Sequence, residues 1–512
     1  MWGAACGAVR RWSWGPAGRP LAAALAAGLG LALAAGPALA NRALGAWGSN
    51  EPWPLIPIHL LLLPDGRVLS YGSNPDGTQT GRFWYDVWDP SSGRPGLGHL
   101  TLRNTTETDL FCSAQLVLPG TNEAVLLGGD NWIAAQGATN NQGNNNSLLF
   151  RNSATPSLSP AANMNRRRWY ATATTLPNGE IYIQGGKNGT DRAEIRSPGG
   201  SFRLLGMDTS ALTYWYPRNF VAPDGRVFGI SNFSLYWVDP AGAGRLTMAG
   251  SLGANDPSGV TTTDVMFDVG KILRTGGGSQ TSTGTRPGKR SAVVIDINGP
   301  TPRVSATAPM PLGLHWHTGT VVPDGRVVVT GGSGQPNQLV GINFQALIWN
   351  PKTGQWTQGS STPGTAAYAR LYHSNALLLP NATILVGGGG APGPANNTNA
   401  QIYYPPNLFD AAGRIPNRLR VLRAPTRLRP GQTFDVTVDR PYAAARVTLI
   451  KAGSATHSFN MEQRFLELRF RRVGNTLKVT APANANLAPP GYYLLWVLDA
   501  QGIPSFGHML AI

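Results

Sequence analysis

One motif, repeated, limits what this chain can fold into. An apolar strand, a turn usually of the type Pro-x-Gly, a second apolar strand and a run of small residues recur seven times. The copies are "LLLLPDGRVLSYGS" from Leu60, "AQLVLPGTNEAVLLGGDN" from Ala114, "ATATTLPNGEIYIQGGKN" from Ala171, "NFVAPDGRVFGISN" from Asn219, "TTDVMFDVGKILRTGGGS" from Thr262, "GTVVPDGRVVVTGGSG" from Gly319 and "NALLLPNATILVGGGG" from Asn375. Their spacing, roughly 45 to 57 residues, is the kelch period of a four-stranded propeller blade, a unit that buries its faces only by stacking on neighbours. Third strands with aromatic or aspartate punctuation follow most copies, as in "FWYDVWDPSSG" and "QALIWNPKTGQW". "LGAWGSNEPWP" resembles the outer-strand segment "TGQWTQGSSTPG" and is expected to complete the last blade.

After about Leu422 the repeat stops. "PTRLRPGQTFDVTVDRPYAAARVTLIKAGS" and the final "NTLKVTAPANANLAPPGYYLLWVLDAQGIPSFGHMLAI" alternate apolar and polar residues between Pro/Gly turns, the pattern of a sandwich. The expected fold is all-β: a seven-bladed kelch-type β-propeller over residues 41–422, then an immunoglobulin-like (early-set) β-sandwich over 423–512. The 64 glycines, 41 prolines and 13% of charged residues agree with many short strands and tight turns.

Residues 1–40 read separately. Arg10, Arg11 and Arg19 precede the apolar run "LAAALAAGLGLALAA", and "GPALA" ends at Ala40. That is the layout of a secretory signal peptide, with an uncleaved N-terminal anchor as the alternative. Export would place the protein in the medium, the periplasm or at the cell surface. Loss of the segment lowers the formal charge from +16 to +13 and leaves Cys112 as the sole cysteine. A lone thiol in an exported chain is buried, paired with another molecule, or reactive. Much of the positive surplus lies in "GRIPNRLRVLRAPTRLRPGQ", which has no nucleic-acid motif. It reads as contact with an anionic cell-surface glycan or as a solvated junction between domains.

The repeats can be aligned on themselves. Seven residues before each turn proline stand Pro57, Cys112, Tyr170, Tyr216, Trp316 and His373, with Thr261 equivalent where the turn is "DVG". In a closed ring these positions converge on one mouth of the central channel, either as plugging side chains or as a shared site. Near such a rim the strand need not keep strict alternation, so adjacent Tyr372 and His373 can lean over one ion. Imidazole and phenolate suit tetragonal copper(II). His315 and His317, at i and i+2, lack a third ligand nearby; His59, His99 and His508 read as ordinary hydrogen-bonding histidines.

Four ordered stretches, "DLFCSAQLVLPG", "NRRRWYATATTLPNGEIYIQGG", "RLYHSNALLLP" and "GSATHSFNMEQR", resemble the copper radical oxidases, the family of galactose oxidase and glyoxal oxidase. The resemblance implies a copper ion and a self-generated Cys112–Tyr170 thioether that holds a tyrosyl radical. It further implies Tyr170, His373 and His457 as in-plane ligands and Tyr372 as axial ligand and general base. His457 would enter on a sandwich hairpin threaded into the channel. The implied reaction is the two-electron oxidation of a primary alcohol or aldehyde, carbohydrate included, with dioxygen reduced to hydrogen peroxide by a monomeric enzyme that uses no nucleic acid. A non-catalytic propeller that binds cell-surface glycan is the alternative reading. Unlike galactose oxidase, the chain has no tryptophan after the double glycine of the Tyr170 blade, where "GGKNGTDR" stands. Trp132, Trp215 or Trp316 would have to stack on the radical instead, Trp316 being favoured by its rim position.

Overall fold

A computed structural model describes residues 42–512; the expected signal segment and its cleavage site lie outside them. Among these residues regular structure is β-strand, broken by five single 3-10 turns. No helix of the described residues is long and apolar enough to cross a membrane.

Each of the seven motif copies is a pair of antiparallel neighbours, from His59–Leu62 with Val68–Tyr71 to Ser374–Leu378 with Ile384–Gly388. The turn chemistry explains the recurrence. In the three Pro-Asp-Gly copies the Asp carboxylate accepts from the backbone N–H two residues on, at Arg67, Arg226 and Arg326. Gly66, Gly225 and Gly325 take positive φ (89°, 93° and 90°), which a side chain would oppose. The third and fourth strands extend the sheet in order, as in Trp169–Thr175, Ile181–Lys187, Arg192–Arg196 and Phe202–Asp208. In the last sheet the outer place is filled from the other end of the chain, by Ala46–Trp47 and Glu51–Pro52 on Asn399–Tyr404.

Successive sheets are sewn together near the start of their first strands. The second glycine of a Gly-Gly pair donates to the next repeat: Gly129 to Arg168 O, Gly186 to Tyr214 O, Gly277 to Leu314 O and Gly332 to Arg370 O, at 2.7–2.9 Å. Such close approach leaves no space for a side chain. A Cβ on Gly276 would stand 2.5 Å from His317 Cε1 and 2.6 Å from Leu314 O.

The C-terminal strands form two layers around a core of Phe434, Val436, Val447, Leu449, Leu477, Tyr493 and Leu495. One layer orders Val421–Arg423, Thr433–Val438, Thr476–Thr480 and Phe470–Val473; the other contains Phe459–Leu468, Ala444–Lys451, Tyr492–Asp499 and His508–Ala511. From the second layer the hairpin of Ser454–Thr456 and Phe459–Leu468 reaches the first strands of the repeats. Thr456 pairs opposite His59, and Phe459 runs parallel to Asp264. Arg418 fastens the junction: it is buried and donates to the carbonyls of Asn381, Pro504 and Ser505. Part of the basic linker is thus structural, and Arg418 is buried where a solvated junction was expected.

Candidate metal and radical site

The internal alignment has a backbone signature. Cys112, Tyr170, Tyr216, Trp316 and His373 all lie at positive φ, between 36° and 76°. Non-glycine residues seldom accept this conformation, and runs of it mark sites where the surrounding fold overrides local preference. Neighbouring copies of the position are hydrogen-bonded to one another: Tyr170 N to Cys112 O, Tyr216 N to Tyr170 O and Trp316 N to Thr261 O, at 2.8–3.0 Å. The left-handed residue also breaks side-chain alternation. Tyr372 and His373, though adjacent, stack with ring centroids 3.7 Å apart.

His457 arrives on a two-residue turn. Thr456 pairs with Phe459, and the turn residues His457 and Ser458 have φ of 50° and 61°, the left-handed pair that a type I′ hairpin requires and that Asn-Gly usually supplies. The tip is held by Thr263 Oγ1 donating to Ser458 O at 2.8 Å and by Arg218 donating to His457 O at 3.4 Å.

Five side chains from four separate segments meet there, all buried. Cys112 Sγ lies 3.4 Å from His457 Nε2 and 3.6 Å from His373 Nε2. The hydroxyls of Tyr170 and Tyr372 contact each other. Both imidazoles are oriented from behind. His373 Nδ1 donates to Gly390 O at 2.6 Å; His457 Nδ1 pairs at 2.6 Å with Thr456 Oγ1, which itself donates to Ile58 O. That arrangement leaves both Nε2 lone pairs facing the cluster, as metal-ligating histidines require. Burial keeps both rings neutral, lowering His373 to about 3 and His457 well below its ordinary value. Burial also raises both phenols and the Cys112 thiol well above theirs. A dication among these donors reverses the phenol shifts, and two imidazoles with two phenols form a set suited to copper(II).

Aromatic rings enclose the cluster. Trp169 and Trp215 each stand 4.4 Å from the Tyr170 ring, and Phe111 stands 5.2 Å from His373. Trp316, favoured as the partner of Tyr170, instead packs on Tyr372 at 4.7 Å, while Trp132 packs on Phe83. Trp169, Phe111 and Thr456 were missed, although a signal existed. Shifting the repeat alignment back by one residue gives Ile56, Phe111, Trp169, Trp215, Val260, His315 and Tyr372, a column with five aromatic rings in seven that contains Phe111 and Trp169 but not Thr456.

Four of the remaining histidines bond elsewhere, and the fifth, His59, lies beside the site with its ring 6.1 Å from that of His457. His315 binds Thr261 Oγ1 and Arg286 O, His317 binds Thr275 Oγ1, His99 binds Asp86, and His508 binds Pro425 O. His59 departs from its reading as a hydrogen-bonding residue: neither ring nitrogen has a partner of normal geometry among the described residues, and the ring stacks flat on Tyr71 at 4.4 Å. The stretch "TNNQGNNNS" is ordered, belonging to a hairpin of Asp130–Ile133 with Ala138–Gly143 that Asn144 ties to Asp109 O and Asp130 O.

A buried cluster of thiol, phenols and imidazoles in a repeat-built all-β protein defines a class, proteins with a centre able to hold a metal ion. Comparison with known proteins agrees. Residues 418–512 match the galactose oxidase-like, Early set domain family. A galactose oxidase of Gibberella zeae is 27% identical over 92% of this chain and 71% of its own length. An aldehyde oxidase of Arabidopsis thaliana is 25% identical over 68% of this chain and 64% of its own. The solved structure of a fungal alcohol oxidase of the AA5 family, in complex with copper, shares the fold with a TM-score of 0.81 at 24% identity, over 92% of this chain and 99% of that one. Together these similarities support the copper radical oxidase family.

Proposed function

We propose that the chain is an exported, monomeric copper radical oxidase built as a seven-bladed propeller closed by its N-terminal strands. On this reading it oxidises a primary alcohol or an aldehyde, carbohydrate among the candidates, by two electrons while dioxygen becomes hydrogen peroxide. The observation that carries the reading is the convergence of Cys112, Tyr170, Tyr372, His373 and His457 with both imidazole Nε2 atoms bare and oriented. Tyr170, Tyr372, His373 and His457 would hold copper. When bound, copper supplies Lewis acidity toward the alcohol oxygen and a one-electron partner to the tyrosine radical. Tyr372, whose hydroxyl touches that of Tyr170, serves as the base for the alcohol proton. Tyr170, linked to Cys112 by a thioether, holds the radical, and the Trp169 and Trp215 rings shield it from water. Residues 1–40 would be the signal segment or an anchor, and the basic surface would meet an anionic glycan. A glycan binder without catalysis has no use for a buried thiol 3.4 Å from a bare imidazole nitrogen.

The test is mass spectrometry after aerobic copper loading. The peptides that carry Cys112 and Tyr170 should run as one species, lighter by two hydrogens than their sum. Separate peptides after loading remove the radical reading.

A further inference from the structure

The sandwich carries charge out of proportion to its length. Residues 418–512 contain thirteen Arg and Lys against five Asp and Glu, so half of the whole chain's surplus of +16 sits in under a fifth of it. Much of this charge is spent internally. Arg418 and Arg464 are buried on backbone carbonyls, Arg420 and Arg440 face Asp439, Arg446 pairs with Glu467, and Lys451 is buried with Glu462.

Of the rest, Arg427 and Arg429 lie in the loop before Thr433–Val438, while Arg423, Arg469 and Arg471 lie on one face of the sheet Val421–Arg423, Thr433–Val438, Thr476–Thr480 and Phe470–Val473. Paired residues of antiparallel strands share a face. Phe434, Val479 and Phe470, and likewise Val436 with Leu477, are paired across the strands and point into the core. The alternate residues therefore point outward. They form the row Asp435, Lys478 and Arg471, the row Thr437, Thr476 and Val473 with Arg423 opposite Thr437, and the pair Thr433 and Thr480. Arg469 immediately precedes the last strand and is exposed. Arg423, Arg469 and Arg471 are all exposed, and among the described residues no acid pairs with them. Asp435, the acid of these rows, is held by Lys478 at 2.7 Å. At the Phe470–Val473 edge Tyr442 is 76% exposed, with the Arg472 guanidinium 5.0 Å over its ring.

We infer that this face binds an acidic polysaccharide, a polymer of hexuronate residues. Free guanidinium forks match carboxylates in two-point contact, and the threonine rows offer hydroxyls to sugar hydroxyls. Arg472 pairs with core-facing Leu477, so the Tyr442 ring under its guanidinium lies off the patch. A flat, hydroxyl-lined sheet with unpaired cations complements a ribbon-like polyanion, and the attraction is long enough in range to be screened by salt. This deepens the glycan contact proposed above and does not depend on the chemistry at Cys112 and Tyr170.

The experiment is affinity electrophoresis of the full-length, copper-loaded protein through polygalacturonate, with uncharged dextran as reference. The protein should be retarded by polygalacturonate alone, and sodium chloride should release it. The triple variant Arg423→Ser, Arg469→Ser, Arg471→Ser should bind about tenfold more weakly. Its melting temperature and copper content should not change, and Tyr442→Ala, off the patch, should bind as the unaltered protein does. No retardation, equal binding by the triple variant, or equally tight binding of duplex DNA or phosphatidylglycerol vesicles overturns the inference. Retardation by polygalacturonate without a Cys112–Tyr170 cross-link would strike the oxidase reading and leave this one standing.

Discussion

At the residue scale, the roles of Cys112 and His457 can be separated although their atoms are 3.4 Å apart. Cys112→Ser removes the thioether sulfur and leaves both bare imidazole nitrogens. We expect near-stoichiometric copper with no cross-link and no peroxide release, checked by metal analysis and intact mass. His457→Ala removes a donor that two left-handed turn residues exist to present; copper affinity itself should fall about 10- to 100-fold, read by competition with a chelator. The reverse pattern would refute both roles. Cys112, Tyr170 and His373 were legible in the sequence because repeats place equivalent residues at equivalent heights. Trp215 was a candidate whose partner could not be chosen, since register alone does not say which ring leans on which neighbour. His457 was legible only through resemblance: it belongs to no repeat, and nothing in its local pattern says that its hairpin leaves the sandwich.

At the scale of elements, the site depends on how first strands are fixed to each other. Arg370 stands three residues before His373, is buried, and donates to Gly388 O, Asn399 O and Asn50 Oδ1, with no carboxylate partner among the described residues. Burial lowers it to about 9. Arg370→Met should cost about 3 kcal/mol in denaturant unfolding, because it leaves buried carbonyls unpaired and frees the strand that carries Tyr372 and His373. Copper binding should weaken in the same variant. Gly276→Ala places a Cβ against His317 and Leu314 O at a φ of 65°, and should destabilise by about 2 kcal/mol or more by the same measurement. An unchanged unfolding midpoint in either variant would remove the stitching role. The Gly-Gly pairs were visible as punctuation. Their hydrogen bonds to the following repeat were not, since a contact between sheets leaves no periodic trace.

For the whole molecule, acid is the expected weakness. His315 and His317 lie outside the metal cluster, and burial lowers them to about 4 and about 3 from an ordinary 6.5. The unfolded chain therefore takes up these protons first. Their contribution is complete above pH 6.5 and drains as pH falls through the folded values, at about 1.4 kcal/mol per pH unit for each histidine. His59, His373 and His457 add to this slope in metal-free protein. Asp109 and Asp130, raised by burial to about 6 and about 7, act the other way, losing stability as pH rises through those values. With His508, also lowered by burial, six histidines against two aspartates predict a melting temperature that falls steadily from pH 6.5 to 4, and a flat or rising profile would show that the histidines titrate freely.

The pairing of Ala46–Trp47 and Glu51–Pro52 with Asn399–Tyr404, and of Ser454–Thr456 with His59–Leu62, gives the polypeptide a temporal order. A ribosome releases Cys112, Tyr170, Tyr372 and His373 well before His457, and the last sheet waits for residue 404 before its outer strands have a partner. Until the hairpin that begins at Ser454–Thr456 emerges, the thiol and phenols lack the second imidazole. On the function proposed above, a Cys112–Tyr170 cross-link would therefore form only after the repeats that enclose it have been made.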